Sequence, residues 1–568
     1  MIKITTKQHI GICIAALMLI FCTASTASAS GRTIYLDQGW TENERQDFYT
    51  TPQGSYLIPL RWYLALETAH GLKLFASRRH IRKFNYLFDD DSSDDNTNSQ
   101  LPVGFAIETV ADGDDWLGMT CAACHTNEIV ANDVKIRLEG GPTLADFNGF
   151  VKSLHDAVKA TLDNRPKFFR FALRVLGFGH WDQFDELYQA LKDYEPQLGG
   201  FVTRNIDTTG IEYGYARLDA FGAIMNEVFG DDLHYPGNIN PANAPVSYPH
   251  LWGTPRHDWV QWNGSANNPL GRNVGEVLGV FGSVDLIDPA QFGNTSARGE
   301  ELIYLEQLVG KLTAPKWPEE YLGSIDLESA ERGYAIYTEF RGDEPSCAYC
   351  HALRDANGNY PMTPAEENLF GVQFVETKMT PLEEIGTDPA MAMNFATRVV
   401  STAHLAPLLP SPFTGAAELP APVLLSVLVG SATQNALGNI QPPLSDAEVA
   451  AAIGYRIKAP GLPPYTPKNL LAYRAAPLEG VWATAPYLHN GSVQNLYELL
   501  LPASERQSSF FVGSRRFDPV KVGFKSVDRK RTSLLDTTLP GNSNLGHEYG
   551  VTLSTEQKLD LIEFLKTL

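Results

Sequence analysis

Two short segments carry the most specific chemistry of the chain. One runs Cys121-Ala122-Ala123-Cys124-His125, the other Cys347-Ala348-Tyr349-Cys350-His351. C-x-x-C-H is the attachment signature of a c-type haem. Its two thiols add across the porphyrin vinyl groups, and the adjacent histidine reaches the iron as proximal ligand. The other cysteines, Cys13 and Cys22, lie in the first thirty residues, so all later cysteines belong to the two motifs. The rival readings are disulfides, redox-active C-x-x-C pairs and zinc. A histidine directly after each pair argues against the first two. The 226 positions from Cys121 to Cys347 are far beyond zinc-ribbon spacing. The expected cofactors are therefore two covalently bound haem c groups, held by Cys121, Cys124, His125, Cys347, Cys350 and His351.

The sixth iron position decides what each haem can do. A second protein ligand makes an electron carrier, whereas an open position binds O₂ or peroxide. Beyond the N-terminal segment the methionines are Met119, Met225, Met362, Met379, Met391 and Met393, and none lies in the last 175 residues. A second ligand to the C-terminal haem from its own half is then His489, His547 or His404. Bis-His ligation would lower the potential relative to Met/His. A hydrogen-bonded structural role is the ordinary alternative for any one of them. Gly546 before His547 would let a loop approach a haem closely.

The elements that must position these groups read as mainly α. Apolar-rich helical stretches are expected over Leu60–Phe75, Thr143–Leu162 (capped near Thr143) and Gln183–Leu191. Leu327–Tyr337 leads into the second motif. Ser554 with Gln557 forms a capping box for a last helix carrying Leu559, Ile562 and Leu565. Long irregular stretches lie between them, including an acidic loop at Asp89–Gln100, read as solvated rather than calcium-binding, and a Trp-rich region at His234–Asn273. Pro315 and Pro318 place a boundary near 314–324. The expected architecture is two cytochrome c-like haem domains with a large insertion between the motifs. They would occupy residues 30–320, the reactive domain with an enlarged substrate region, and 321–568.

Residues 1–29 read as a signal peptide. Lys3 and Lys7 precede thirteen apolar residues, Ile10 to Cys22, and Ala27-Ser28-Ala29 is a cleavage site. An uncleaved anchor is the rival. Nothing later is apolar enough to span a membrane, so the mature protein is expected to be periplasmic or secreted. A net charge of −21 leaves no basic excess to neutralise phosphates. Nucleic acid and anionic lipid are thus poor partners.

Beyond the two motifs, the chain resembles the di-haem cytochrome c peroxidase superfamily and, within it, the rubber oxygenase-like branch. The superfamily segment is Tyr487-Leu488-His489-Asn490-Gly491-Ser492. The branch segments are Met119-Thr120 before the first motif, Glu139-Gly140-Gly141-Pro142, Trp259-Val260-Gln261-Trp262-Asn263-Gly264, Ile385-Gly386-Thr387-Asp388-Pro389, Leu499-Leu500-Leu501-Pro502 and Gly546-His547-Glu548-Tyr549. The likeness covers residues 36–568. It implies that the N-terminal haem at His125 is the catalytic one, with an open distal face. It implies a bis-His C-terminal haem with His547 as distal ligand and His489 as a structural residue. It also implies a hydrophobic small-molecule or polymer substrate with O₂: polyisoprene or an unsaturated fatty acid.

Three function classes follow. An O₂-dependent dioxygenase needs an apolar channel beside the haem, which Trp252, Trp259 and Trp262 could line unless they are core residues. A peroxidase needs an acid/base group, for which Glu139 and Glu276 are candidates, and a redox partner protein as electron donor. An electron-transfer cytochrome needs two six-coordinate haems and no pocket.

Overall fold

The computed structural model describes residues 33–89, 101–110, 113–208, 210–342, 344–453 and 470–568. The expected signal segment and nearly all of the acidic 89–100 loop lie outside the described residues. Helices carry more of the described chain than strands do. Two three-stranded sheets nevertheless hold the first C-x-x-C-H motif, which the helical reading did not anticipate. The strand Asp115–Met119 leads into it, paired with Phe105–Thr109 and Ile58–Pro59. The strand Thr126–Ala131 leads out, in a hairpin with Val134–Glu139. Asn132 and Asp133 close that hairpin at φ 48° and 63°, the left-handed pair a tight two-residue turn requires.

Between these sheets Cys121–Cys124 form one helical turn, capped by Thr120, whose side chain accepts from the Ala122 N–H. Gly104 presses the preceding strand onto this turn. A Cβ there would lie 1.9 Å from the Ala123 nitrogen, so only glycine fits.

The helix expected over 143–162 runs Phe147–Asp163, capped by Asp146 rather than Thr143. The Thr143 N–H instead bonds the Cys124 carbonyl at 3.0 Å, which holds it outside the helix. Phe147, Phe150, Val151, Leu154 and Val158 give this helix one buried face. It packs on Phe184–Asn205, which extends well beyond the expected Leu191. Over 60–75 only Leu60–Ala65 is helical. Arg170 and Arg174 draw Glu67 into a buried ion cluster, and Glu67 bridges Leu74 across a turn.

The helix Leu327–Thr338 precedes the second motif and packs on the last helix, Thr555–Lys566, whose Ser554/Gln557 capping box is present. Leu561, Ile562 and Leu565 face inward there, with Leu559 half-buried. The helix Ala421–Gly438, after the second motif in sequence, packs on Pro269–Leu278 and Gly299–Lys311. Residues from both sides of the second motif thus share one core. No helix among the described residues is long and apolar enough to cross a membrane.

Candidate haem sites

Each C-x-x-C-H turn opens onto a cavity. Cys121, Cys124 and His125 line the first; Cys347, Cys350 and His351 line the second. Tyr248, Pro249 and Trp262 line both and form a shared wall.

The two histidines are held alike. His125 Nδ1 lies 2.8 Å from the Pro249 carbonyl, and His351 Nδ1 lies 2.7 Å from the Ala476 carbonyl. A carbonyl can only accept, so each Nδ1 carries the hydrogen and each Nε2 is left with its lone pair. Burial depresses both pKa values, His125 to about 4, and keeps the rings neutral. A neutral imidazole anchored by Nδ1–H to a carbonyl is the form that binds a metal through Nε2.

The four thiols are free and their pKa values are raised by burial, those of Cys121 and Cys124 to about 12. A redox C-x-x-C or a zinc thiolate needs the opposite shift. Neutral thiols beside a cavity suit thioether attachment.

The surroundings of the two motifs repeat as well, and this signal was readable in the sequence but missed. Asn263-Gly264-Ser265 recurs as Asn490-Gly491-Ser492, 227 positions later. Gln261 and Gly264 have φ of 68° and 64°; Leu488 and Gly491, at the same offset, have 62° and 66°. The bridge Val260↔Ala266 recurs as Tyr487↔Val493, and the helix cap Asn268 recurs as Asn495. The two cavities are copies of one cradle, shifted by 226 to 227 residues.

The copies differ in their histidines. His489 occupies the turn position that Trp262 occupies in the first copy. His489 stacks on Tyr473 with centroids 4.0 Å apart and lines the second cavity. His547 adds a histidine to the second cavity, whereas the first lining holds His125 alone. The His547 ring also lines the second cavity, with its centroid 6.3 Å from that of His351. An imidazole–metal bond is about 2.0 Å, and a ring centroid lies ~1.2 Å behind its nitrogen, so two rings on one iron stand roughly 6.4 Å apart. The His547 Nδ1 is buried without a hydrogen-bond partner. Spacing, neutral rings and this orphaned nitrogen fit a haem between His351 and His547.

Two other candidates fall away. His404 is turned to the Leu286 carbonyl at 2.7 Å and does not line the second cavity. Glu139 accepts from the Tyr49 hydroxyl at 2.6 Å beside Arg137, in a buried network outside both linings. Glu276 does line the first cavity, accepts from Gln261 at 2.8 Å, and has its pKa raised by burial. Most of the remaining wall is apolar, with Leu218, Phe221, Ile224, Val246, Val280 and Met391. Of the three tryptophans only Trp262 lines either of these two cavities. Trp252 is core, bonded to the Glu479 carbonyl and stacked on His250.

Comparison with known proteins agrees with this chemistry. A family described as RoxA-like, cytochrome c-like matches residues 472–511, which include the Ala476 carbonyl and the second Asn-Gly-Ser turn. Uncharacterized protein y4iJ of Sinorhizobium fredii (strain NBRC 101917 / NGR234) is 33% identical over 591 aligned positions, 94% of this chain and 93% of that protein. Uncharacterized protein y4iM of the same strain is 24% identical over 396 positions, 66% of this chain and 71% of that protein. The cytochrome c-like match implies haem c binding. The chain belongs to the same family as the y4iJ protein, and it carries a RoxA-like, cytochrome c-like segment at the cradle of its second cavity.

Proposed function

We propose that the protein is an exported di-haem oxidoreductase that uses O₂ to oxidise double bonds of a long unsaturated hydrocarbon chain at its first cavity. The observation that carries this reading is the inequality of the two cradles. Two histidine rings, His351 and His547, stand with centroids 6.3 Å apart in the second cavity, whereas His125 is the one histidine lining the first. In this reading Cys121, Cys124 and His125 would hold the catalytic haem, and Cys347, Cys350, His351 and His547 would hold one that only carries electrons. A haem held at His125 would supply the activation of O₂.

The chain's own residues supply the rest. The Pro249 carbonyl fixes the His125 tautomer and aims Nε2 into the cavity. Leu218, Phe221, Ile224, Val246 and Val280 offer an apolar wall to an aliphatic chain and exclude water from it. Tyr248 and Trp262 close the side facing the second cavity.

One observation favours a peroxidase instead. Glu276 and Gln261 place a carboxyl group of raised pKa in the first cavity, where an acid/base group would have to stand. Turnover of oleate and of polyisoprene latex under ¹⁸O₂, followed by mass spectrometry, separates the two. The oxygenase reading expects ¹⁸O in the products without added peroxide. Turnover that requires hydrogen peroxide and a reduced electron donor, with no ¹⁸O retained, would establish the peroxidase.

A further inference from the structure

Three sequence segments that the haem motifs leave unexplained meet around His547. They are Ile385-Gly386-Thr387, Leu499-Leu500-Leu501 and Gly546-His547-Glu548. The His547 N–H donates to the Ile385 carbonyl at 2.8 Å. Gly546 lies against Gly386 so closely that a Cβ on Gly546 would come within 2.2 Å of the Gly386 carbonyl carbon. His547 itself has φ 49°, a left-handed conformation that a non-glycine residue keeps only where its surroundings impose it.

The centre of this junction is Arg506, which is 6% exposed. A guanidinium has five N–H donors. Arg506 makes five such bonds, all to backbone carbonyls. Nε donates to Leu501 at 3.1 Å, Nη1 to Asn544 at 2.5 Å and Gly546 at 2.8 Å, and Nη2 to Leu499 and His547 at 3.2 Å each. Three of these carbonyls belong to the loop that carries His547. The other two belong to the end of the helix Leu496–Leu499 and the residues after it. Leu499 and Leu500 line the second cavity. One planar fork therefore ties the His547 loop to the cavity wall.

We propose that Arg506 is a positioning residue for the second haem site. Its guanidinium holds residues 544–547 in the conformation that presents the His547 ring opposite His351. Lysine has three donors in a different geometry and glutamine two, so neither can bind all five carbonyls. Released from them, the loop relaxes out of its left-handed conformation and His547 withdraws. This rests on His547 being the sixth ligand.

The test is electron paramagnetic resonance of the purified holoprotein, comparing wild type, His547→Ala, Arg506→Gln and Arg506→Lys, each with and without imidazole. Pyridine haemochrome analysis checks that two covalent haems per chain remain. In Arg506→Gln the low-spin signal of the C-terminal haem should be lost to a high-spin signal, as in His547→Ala, and imidazole should restore it. Arg506→Lys is read by the same criterion if the glutamine variant does not accumulate. A low-spin His547→Ala overturns the ligand assignment itself. A high-spin His547→Ala beside a low-spin Arg506 variant overturns the role of Arg506 alone. A high-spin Arg506 variant that imidazole does not restore also overturns it, because the cavity rather than the ligand has then been lost.

Discussion

The imidazole rings of His351 and His547 face each other across the second cavity with centroids 6.3 Å apart and planes inclined at 47°. His489 lines the same cavity but belongs to a turn that the first cavity repeats with Trp262. The shared cradle and the added histidine are therefore separable. His547→Ala should convert the C-terminal haem to a high-spin or water-ligated form, whereas His489→Ala should keep its low-spin signal. The reverse pattern would make His489 the ligand.

Arg474 lines the second cavity, donates to the Gln261 carbonyl at 3.3 Å and meets His257 at 3.2 Å. A buried positive charge favours the reduced, less positive iron. Arg474→Gln should lower the midpoint potential of the C-terminal haem, and Arg474→Lys should restore most of it. Spectropotentiometric titration reads both. Equal midpoints in all three proteins would show that the guanidinium is too far from the haem to matter.

Glu139 is 4% exposed, and burial pushes its pKa up from 4.5 to about 7 against the opposing pull of Arg137. The folded chain keeps this proton to near neutral pH, while the unfolded chain releases it near 4.5. Between these values the folded state binds more protons, so this group's contribution to stability is present at low pH and falls as pH rises. The whole difference corresponds to about 3 kcal/mol. Glu139→Gln should flatten the decline in unfolding midpoint between acidic and neutral pH. Parallel pH profiles for the variant and wild type would contradict this.

Gly333 lets the helix Leu327–Thr338 approach the last helix. A Cβ there would lie 2.0 Å from the Asp560 carbonyl oxygen, and Ser329 and Arg332 bind the Asp560 carboxylate alongside. Gly333→Ala should destabilise this pair by ~1–3 kcal/mol, the usual cost of overpacking. Thermal unfolding should show the loss while both haems stay attached. An unchanged midpoint would mean that the helices part without strain.

The two candidate attachment motifs are legible because each is five contiguous residues whose chemistry does not depend on the fold. The anchors of His125 and His351 were not, because the carbonyls of Pro249 and Ala476 have no side-chain signature and lie about 125 residues downstream. Three histidines competed for one ligand position because sequence order says nothing of which loop folds over a cavity; the structure turns His404 to Leu286 and His547 to His351. The last helix was readable from its capping box. The pattern over 60–75 reads as one helix because Glu67 is compatible with a helix, whereas arginines about 100 residues away in sequence pair with it outside the helix. The repeated Asn-Gly-Ser turn was visible in the sequence, and its 227-residue offset marks the duplicated cradle.

The most direct test of the division between the two sites is carbon monoxide titration of the fully reduced protein, with haem quantified as pyridine haemochrome. The account predicts two covalent haems per chain and one bound carbon monoxide, rising to two in His547→Ala. Two carbon monoxide molecules on the wild type, or none with a methionine-ligated spectrum involving Met119 or Met391 in the first cavity, would contradict it.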